Sequence, residues 1–248
     1  HRSRLWRQDQ DLYRAGGMKP ALLDELLAAK TEKRAVVLIT DINNGEQALY
    51  SPGHRQSSLS DEFVAMAQKA LRSDNSELIE TSKGPVFVEV FNSPLRMLIT
   101  GAVHIAQHLA PMATEFGYDV AIIDPRAAFA ASARLPGVNV IKEWPNEAMR
   151  CMAVDNRTAV VALTHDPKID ESALAVALRS EAFYIGALGS KKTHEKRRER
   201  LSQQGFSETE LARIHAPIGL AIGAQSPAEI ALSIMAQITQ VLHAGAAR

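Results

Sequence analysis

The chain has 248 residues, 46% of them apolar and 23% charged, which is ordinary globular composition and enough for one large domain or two modest ones. Its 28 basic and 28 acidic side chains cancel, so nothing attracts it in bulk to nucleic acid or an anionic membrane. A single cysteine, Cys151, excludes an intrachain disulfide and suits a reducing, cytoplasmic setting, and no apolar run approaches a membrane span. Residues 1–17 lack the apolar centre of a signal peptide and differ in character from the remainder of the chain. They read as a leader, appended or disordered, with Met18 a candidate start. Leu22, Leu23, Leu26 and Leu27 then mark a short amphipathic helix over 19–29, and RAVVLIT at 34–40 is a strand. Asn43-Asn44-Gly45 is a turn, with a returning strand at 47–50. A second helix covers 59–71, with Ser60 as a candidate N-cap. Apolar stretches at 78–80 and 86–91 flank Ser82-Lys83-Gly84 and read as a hairpin. Strands and helices without a regular beat predict a small α+β domain over 18–93.

From Arg96 the rhythm becomes strict alternation. Strands fall at 97–100, 119–123, 138–141, 158–163 and 182–186, and helices at 104–116, 146–153, 170–180, 191–204 and 227–243. That order predicts an α/β fold: a Rossmann-like, doubly wound parallel sheet over 94–248. Its centre is Arg96 to Arg126. There a strand ends at Gly101, and a helix carries Ile105, Leu109, Met112 and Phe116 as its apolar stripe. A second strand then ends at Asp124. Ser226-Pro227-Ala228-Glu229 and Ser207-Glu208-Thr209-Glu210 are capping boxes.

A turn glycine before a helix, with an acid roughly 20 residues on, outlines a dinucleotide-binding unit. In G-x-G-x-x-G/A the first glycine aligns with Gly101 and the last position with Ala106, but Val103 holds the middle place. Its side chain would crowd a pyrophosphate, so NAD(P) is the weaker expectation, with Asp124 placed for its ribose. Ligands of open parallel sheets bind outside the carboxyl ends of the strands. That rule selects Gly101, Ala102 and His104 after the first strand, and Asp124 and Arg126 after the second. It adds Thr164, His165 and Asp166 after the fourth, and Gly186, Gly189 and Ser190 after the fifth. Arg126 suits a phosphate, and the helix start at Ser190 offers free N–H groups to an anion. Each of these also has an ordinary reading as a cap, a turn or a packing residue. No nucleophile stands beside a base, and the histidines show no zinc spacing with cysteine, so no catalytic or metal-ligating set emerges. The charged run 191–200 reads as a solvated helix face carrying i,i+4 pairs, and Cys151 among Met149, Met152 and Val154 as buried.

Taken together, six motifs resemble the XdhC/CoxI family of accessory proteins for molybdenum hydroxylases. They are G-A-x-H-I-A at 101–106, D-P-R at 124–126, T-H-D at 164–166, Y-I-G-A-L-G-S at 184–190, P-I-G-L at 217–220 and I-G-A-Q-S-P-A-E-I-A at 222–231. The resemblance implies a bacterial chaperone that binds the molybdenum cofactor, as molybdopterin or its nucleotide form, at the residues selected above. It further implies help with sulfuration of that cofactor and delivery to an apo-hydroxylase of the xanthine dehydrogenase type. A sulfurtransferase or a separate XdhC/CoxI-type subunit would be further partners, and a homodimer is left open. Val103 replaces a glycine common in the family, and Ala221 an aspartate. The Gly-Gly-Cys-type segment of many members is missing. Those departures implicate the Rossmann-like domain as the main pterin site, or a separate chain that supplies the missing half. An NAD(P)-dependent oxidoreductase and a scaffold with a decayed site are the alternatives.

Overall fold

The computed structural model describes residues 17–32, 34–53, 59–126 and 138–244. Of residues 1–17, expected to be a leader, all but Gly17 lie outside them. The chain divides into two compact units, one ending at Ser93 and the other beginning at Pro94. In the first, α1 (Pro20–Thr31), β1 (Val36–Asp41), β2 (Gln47–Tyr50), α2 (Asp61–Ser73), β3 (Glu77–Thr81) and β4 (Gly84–Phe91) succeed one another. The four strands form an antiparallel sheet in the order β2-β1-β4-β3. Alternation along β1 sends Val36 and Leu38 to one face and Val37 and Ile39 to the other. The first pair packs with Leu23, Leu26 and Ala29 of α1, the second with Ala67 and Ala70 of α2. Ser60 caps α2 by accepting the N–H of Phe63.

The second unit contains β5 (Arg96–Thr100), α3 (His104–Glu115), β6 (Asp119–Ile123), β7 (Asn139–Ile141), α4 (Pro145–Cys151), β8 (Thr158–Ala162), α5 (Pro167–Leu178), β9 (Tyr184–Ala187), α6 (Lys191–Gln203), α7 (Glu208–Leu211), β10 (Ile214–His215) and α8 (Pro227–His243). Its six strands are all parallel, in the order β10-β9-β8-β5-β6-β7. Helices lie on both faces. Met97 and Ile99 of β5 pack with Leu109 of α3 and with Ile234 and Ile238 of α8. Leu98 faces the opposite layer, with Met149 of α4, Leu174 of α5 and Leu201 of α6. The doubly wound α/β reading therefore holds, beside a small antiparallel sheet.

Several local expectations are corrected. Strand β9 runs to Ala187, so Gly186 is a buried strand residue and not part of the following loop. A Cβ there would meet Ile218 Cδ1 at 2.5 Å and the Tyr184 ring at 2.7 Å, so close packing accounts for its glycine. Helix α5 starts earlier than expected, because Pro167 occupies its first turn and Asp166 caps it through Lys168 N–H at 2.9 Å. Phe116 lies past the end of α3 and is exposed. Cys151 is exposed too, because α4 turns Ala148 and Met149 to the core. The two-residue β10 is too short to leave a periodic signal in sequence.

Candidate functional site

Strand order reverses between β5 and β8, and both strands run out at the same edge of the sheet. That switch point is where an open parallel sheet forms a ligand crevice. Gly101, directly after β5, has φ 101°, and a Cβ there would lie 2.6 Å from Thr164 Cγ2. Only glycine both adopts that backbone and lets the two loops close together. Helix α3 then starts at His104. Its N-cap is Val103, which supplies no side-chain cap. The first-turn N–H groups of α3 are thus left to solvent or an anion. Val103 is half-buried against the core beneath α3, and His104 is exposed. Below the turn, Thr100 Oγ1 is buried with no hydrogen-bond partner among the described residues.

Asp124 follows β6 and is fully buried. Its Oδ2 accepts the N–H of Ala102 at 2.9 Å and Arg126 Nη2 at 2.8 Å. Its Oδ1 accepts Arg126 Nε at 2.9 Å and Arg126 N–H at 3.0 Å. Burial alone would raise the carboxyl's pKa, but these donors outweigh it and hold the group below the usual carboxylate range. Asp124 is therefore spent on fixing the Gly101 turn and Arg126, with no oxygen turned to a ribose. Arg126 lies at the edge as expected, with one side of its fork committed to Asp124 and its side chain 33% exposed. Hydrogen bonding to Asp124 raises its pKa further.

On the β8 side, Thr164 is buried, and its N–H and hydroxyl both donate to Asp170 Oδ1, at 3.1 and 2.6 Å. Asp170 sits inside α5, and burial pushes its pKa up to about 6 against the pull of Thr164 and Arg197. Arg197 of α6 lies 3.8 Å from its Oδ2 and donates to Leu188 O at 2.9 Å. Burial lowers the pKa of Arg197, whose Nη1 has no hydrogen-bond partner among the described residues. This chain of bonds joins the Thr164 loop to the Leu188–Ser190 loop. Ser190 caps α6 by accepting the N–H of Thr193 at 3.2 Å, and Gly189 at φ 134° makes the turn before it. His165 and Ser190 are exposed, and Asp166 is half-buried.

The structure thus bonds Ala102 and Arg126 to Asp124 at the switch point and brings Gly101, in the same turn, close against Thr164. It places His104 at the start of α3 and His165 on the loop after the neighbouring strand β8, and sets Gly189 and Ser190 one strand further away. Asp170 and Arg197 were missed. The available signal was a charge standing on an apolar stripe: Asp170 beside Ile169, Ala173 and Leu174, and Arg197 one turn from Leu201. Helix α6 is solvated along Lys191, Lys192, Glu195, Lys196 and Glu199, as expected, but Arg197 is buried and the ion pairs of this helix reach other helices. Arg200 pairs with Glu171 of α5, and Arg198 with Glu208 of α7.

Among the described residues no group of three or more His, Cys, Asp or Glu could hold a metal ion. No described helix is long and apolar enough to cross a membrane. A family model described as the XdhC Rossmann domain matches residues 97–238. The molybdenum cofactor insertion chaperone PaoD of Escherichia coli is 34% identical over 154 residues, 62% of this chain and 42% of PaoD. A Bacillus subtilis protein named as a probable subunit of xanthine dehydrogenase is 28% identical over 156 residues, 62% of this chain and 45% of that protein. YqeB of Escherichia coli, an uncharacterised protein, is 29% identical over 63% of this chain and 29% of its own length. The chain thus spans less than half the length of these curated relatives. A crystal structure of a xanthine dehydrogenase from Bacillus halodurans superposes with TM-score 0.66 at 22% identity, covering 90% of this chain and 64% of that one.

Proposed function

Because the chain belongs to the XdhC family through its Rossmann domain, we propose that it is an accessory protein of molybdenum hydroxylases. It binds the molybdenum cofactor, assists its sulfuration and passes it in the cytoplasm to an apo-enzyme of the xanthine dehydrogenase type. The names of PaoD and of the Bacillus subtilis relative support that role. The observation that carries the reading is the uncapped start of α3 above the Gly101 turn, flanked by Arg126 and His104. This donor set fits a phosphate-bearing pterin. The first turn of α3, Arg126, His165 and the Gly189–Ser190 helix start would hold it, with Thr164 and Asp166 fixing the His165 loop and the Ala102–Asp124 bond as support. Gly186 contributes only packing. Bound cofactor supplies redox chemistry to the hydroxylase that receives it, and this chain holds it until then. Further candidate partners are a sulfurtransferase, a second copy of the chain and a separate XdhC/CoxI-type subunit. NAD(P) is the weaker ligand, since Asp124 has no oxygen left for a ribose.

The test is molybdenum and pterin content after purification from cells that make the cofactor. His104→Ala and His165→Ala, both at exposed positions, should lower retention without moving the melting curve. Lys196→Ala, exposed on α6 away from its start, should retain as wild type does. Equal retention by all four proteins would remove the crevice as the binding site. Micromolar binding of NADH or NADPH by calorimetry would favour the oxidoreductase reading instead.

A further inference from the structure

A cleft of about 480 Å³ runs between α4 and α5, on the helical layer that covers one face of the parallel sheet. That volume lies in the range typical of small-molecule pockets, roughly 300–1,000 Å³. The cleft reaches Ala153, Val154, Arg179 and Ser180, which precede β8 and β9. It therefore opens toward the edge where the strands begin, opposite to the crevice at their carboxyl ends. Its apolar lining comes from Met149, Val154, Ala175 and Val176, and no Asp or Glu lines it.

Two arginines line it, Arg150 and Arg179, both exposed. They differ from the other described arginines of this unit. Arg96 pairs with Asp155, Arg126 with Asp124, Arg197 with Asp170, Arg198 with Glu208 and Arg200 with Glu171. Arg213 donates to the carbonyls of Leu178, Ser180 and Ala182, and Arg157 is engaged as well. Among the described residues, Arg150 and Arg179 alone of this set have no hydrogen bond or ion pair from the guanidinium. Arg179 rests on the Phe206 ring, 5.0 Å from its centroid, which leaves its N–H edges available. Glu210 attracts Arg179 through space without bonding it, so two forks with no hydrogen-bond partner among the described residues stand beside an apolar floor, the complement of an apolar body ending in an anionic group.

We propose that this cleft is a second binding site, for a small amphipathic organic anion whose apolar body lies on Met149, Val154, Ala175 and Val176 and whose anionic group meets Arg150 and Arg179. It is separate from the crevice at the switch point, so both can be filled at once. Anilinonaphthalene sulfonate has this chemistry and is the probe. Titrated into the folded 248-residue chain, it should show one saturable site by fluorescence. Arg150→Ala/Arg179→Ala should weaken its Kd by about tenfold or more. Both side chains are exposed, so the melting curve should not move. Ala175→Phe, which fills the cleft, should abolish binding, and Arg198→Ala should leave it unchanged. Decanoate should displace the probe, and decanol, of equal length without the charge, should not. The proposal is overturned by absence of saturable binding, by an unchanged Kd in the double arginine variant, or by equal displacement with acid and alcohol.

Discussion

Asp124 and Asp170 are two buried carboxylates at one edge of one sheet, and their surroundings push them in opposite directions. Asp124 accepts four N–H donors and is held below its ordinary value of 3.8. It stabilises the fold above that value and loses its contribution as pH falls through the lowered one. Asp170 is raised to about 6, because burial outweighs Thr164 and Arg197. The folded state therefore favours its protonated form. That stability is complete below 3.8 and is lost as pH rises to about 6, over a span worth roughly 3 kcal/mol. Asp170 is faced by Thr164, His165 and Arg126 as well as by Arg197. Melting temperatures of wild type and Asp170→Asn, measured from pH 4 to 7, should show wild type losing ground to the variant between about pH 4 and 6. Parallel curves would refute the assignment. Arg126 carries a second prediction, because removing it strands a buried carboxylate. Arg126→Ala should cost about 2–3 kcal/mol by denaturant unfolding, less than a fully buried pair because water reaches the guanidinium. Its placement after an apolar strand was legible in sequence, but its bond to Asp124 two residues earlier was not. Spacing says where a side chain leaves the chain, and not which neighbour claims it.

Helix starts were the most legible elements, because their signals are local. The capping boxes at Ser207 and Ser226 are both present, each with reciprocal bonds to its glutamate. Ser226→Ala should cost about 1 kcal/mol, seen as a fall in Tm of roughly 2–4 °C. An unchanged Tm would mean that tertiary packing alone holds α8. Gly219 is a sharper case in the P-I-G-L motif. It sits at φ 93°, and a Cβ there would lie 2.3 Å from Ser233 Oγ. Its N–H donates to Gln237 Oε1, and Gln237 also accepts the Tyr184 hydroxyl. Gly219→Ala therefore combines a backbone conformation that alanine avoids with a clash against α8, and should lower Tm more than Ser226→Ala does. The bounds of α5 and β9 were less legible, because the sequence does not say whether Asp166 caps a helix or whether Gly186 lines a loop. That distinction rests on Lys168 N–H and on Ile218, the latter more than thirty residues away in the chain.

Over the whole molecule, the change from irregular to alternating rhythm at Pro94 was readable because alternation is a property of order alone. The strand sequence β10-β9-β8-β5-β6-β7 was not, since several windings satisfy the same alternation. The rule that parallel strands share a carboxyl edge was enough to gather candidate residues there. It could not identify the reversal between β5 and β8 that singles out Gly101 and Thr164. The division at Ser93–Pro94 also has an energetic side. The clusters on the two faces of the parallel sheet are built from residues beyond Pro94, and those on the antiparallel sheet from residues 18–91. A unit that covers both faces of its own sheet meets the main requirement for folding alone. The Pro94–Arg248 segment, expressed by itself, should therefore unfold in one cooperative transition by circular dichroism, with near-native far- and near-ultraviolet spectra. The Ala102–Asp124 and Thr164–Asp170 bonds lie wholly within it, so the excised segment should also keep the pH dependence assigned to Asp170. A segment that is aggregated, or that melts without cooperativity, would show that the parallel sheet needs the first unit to hold its crevice in shape.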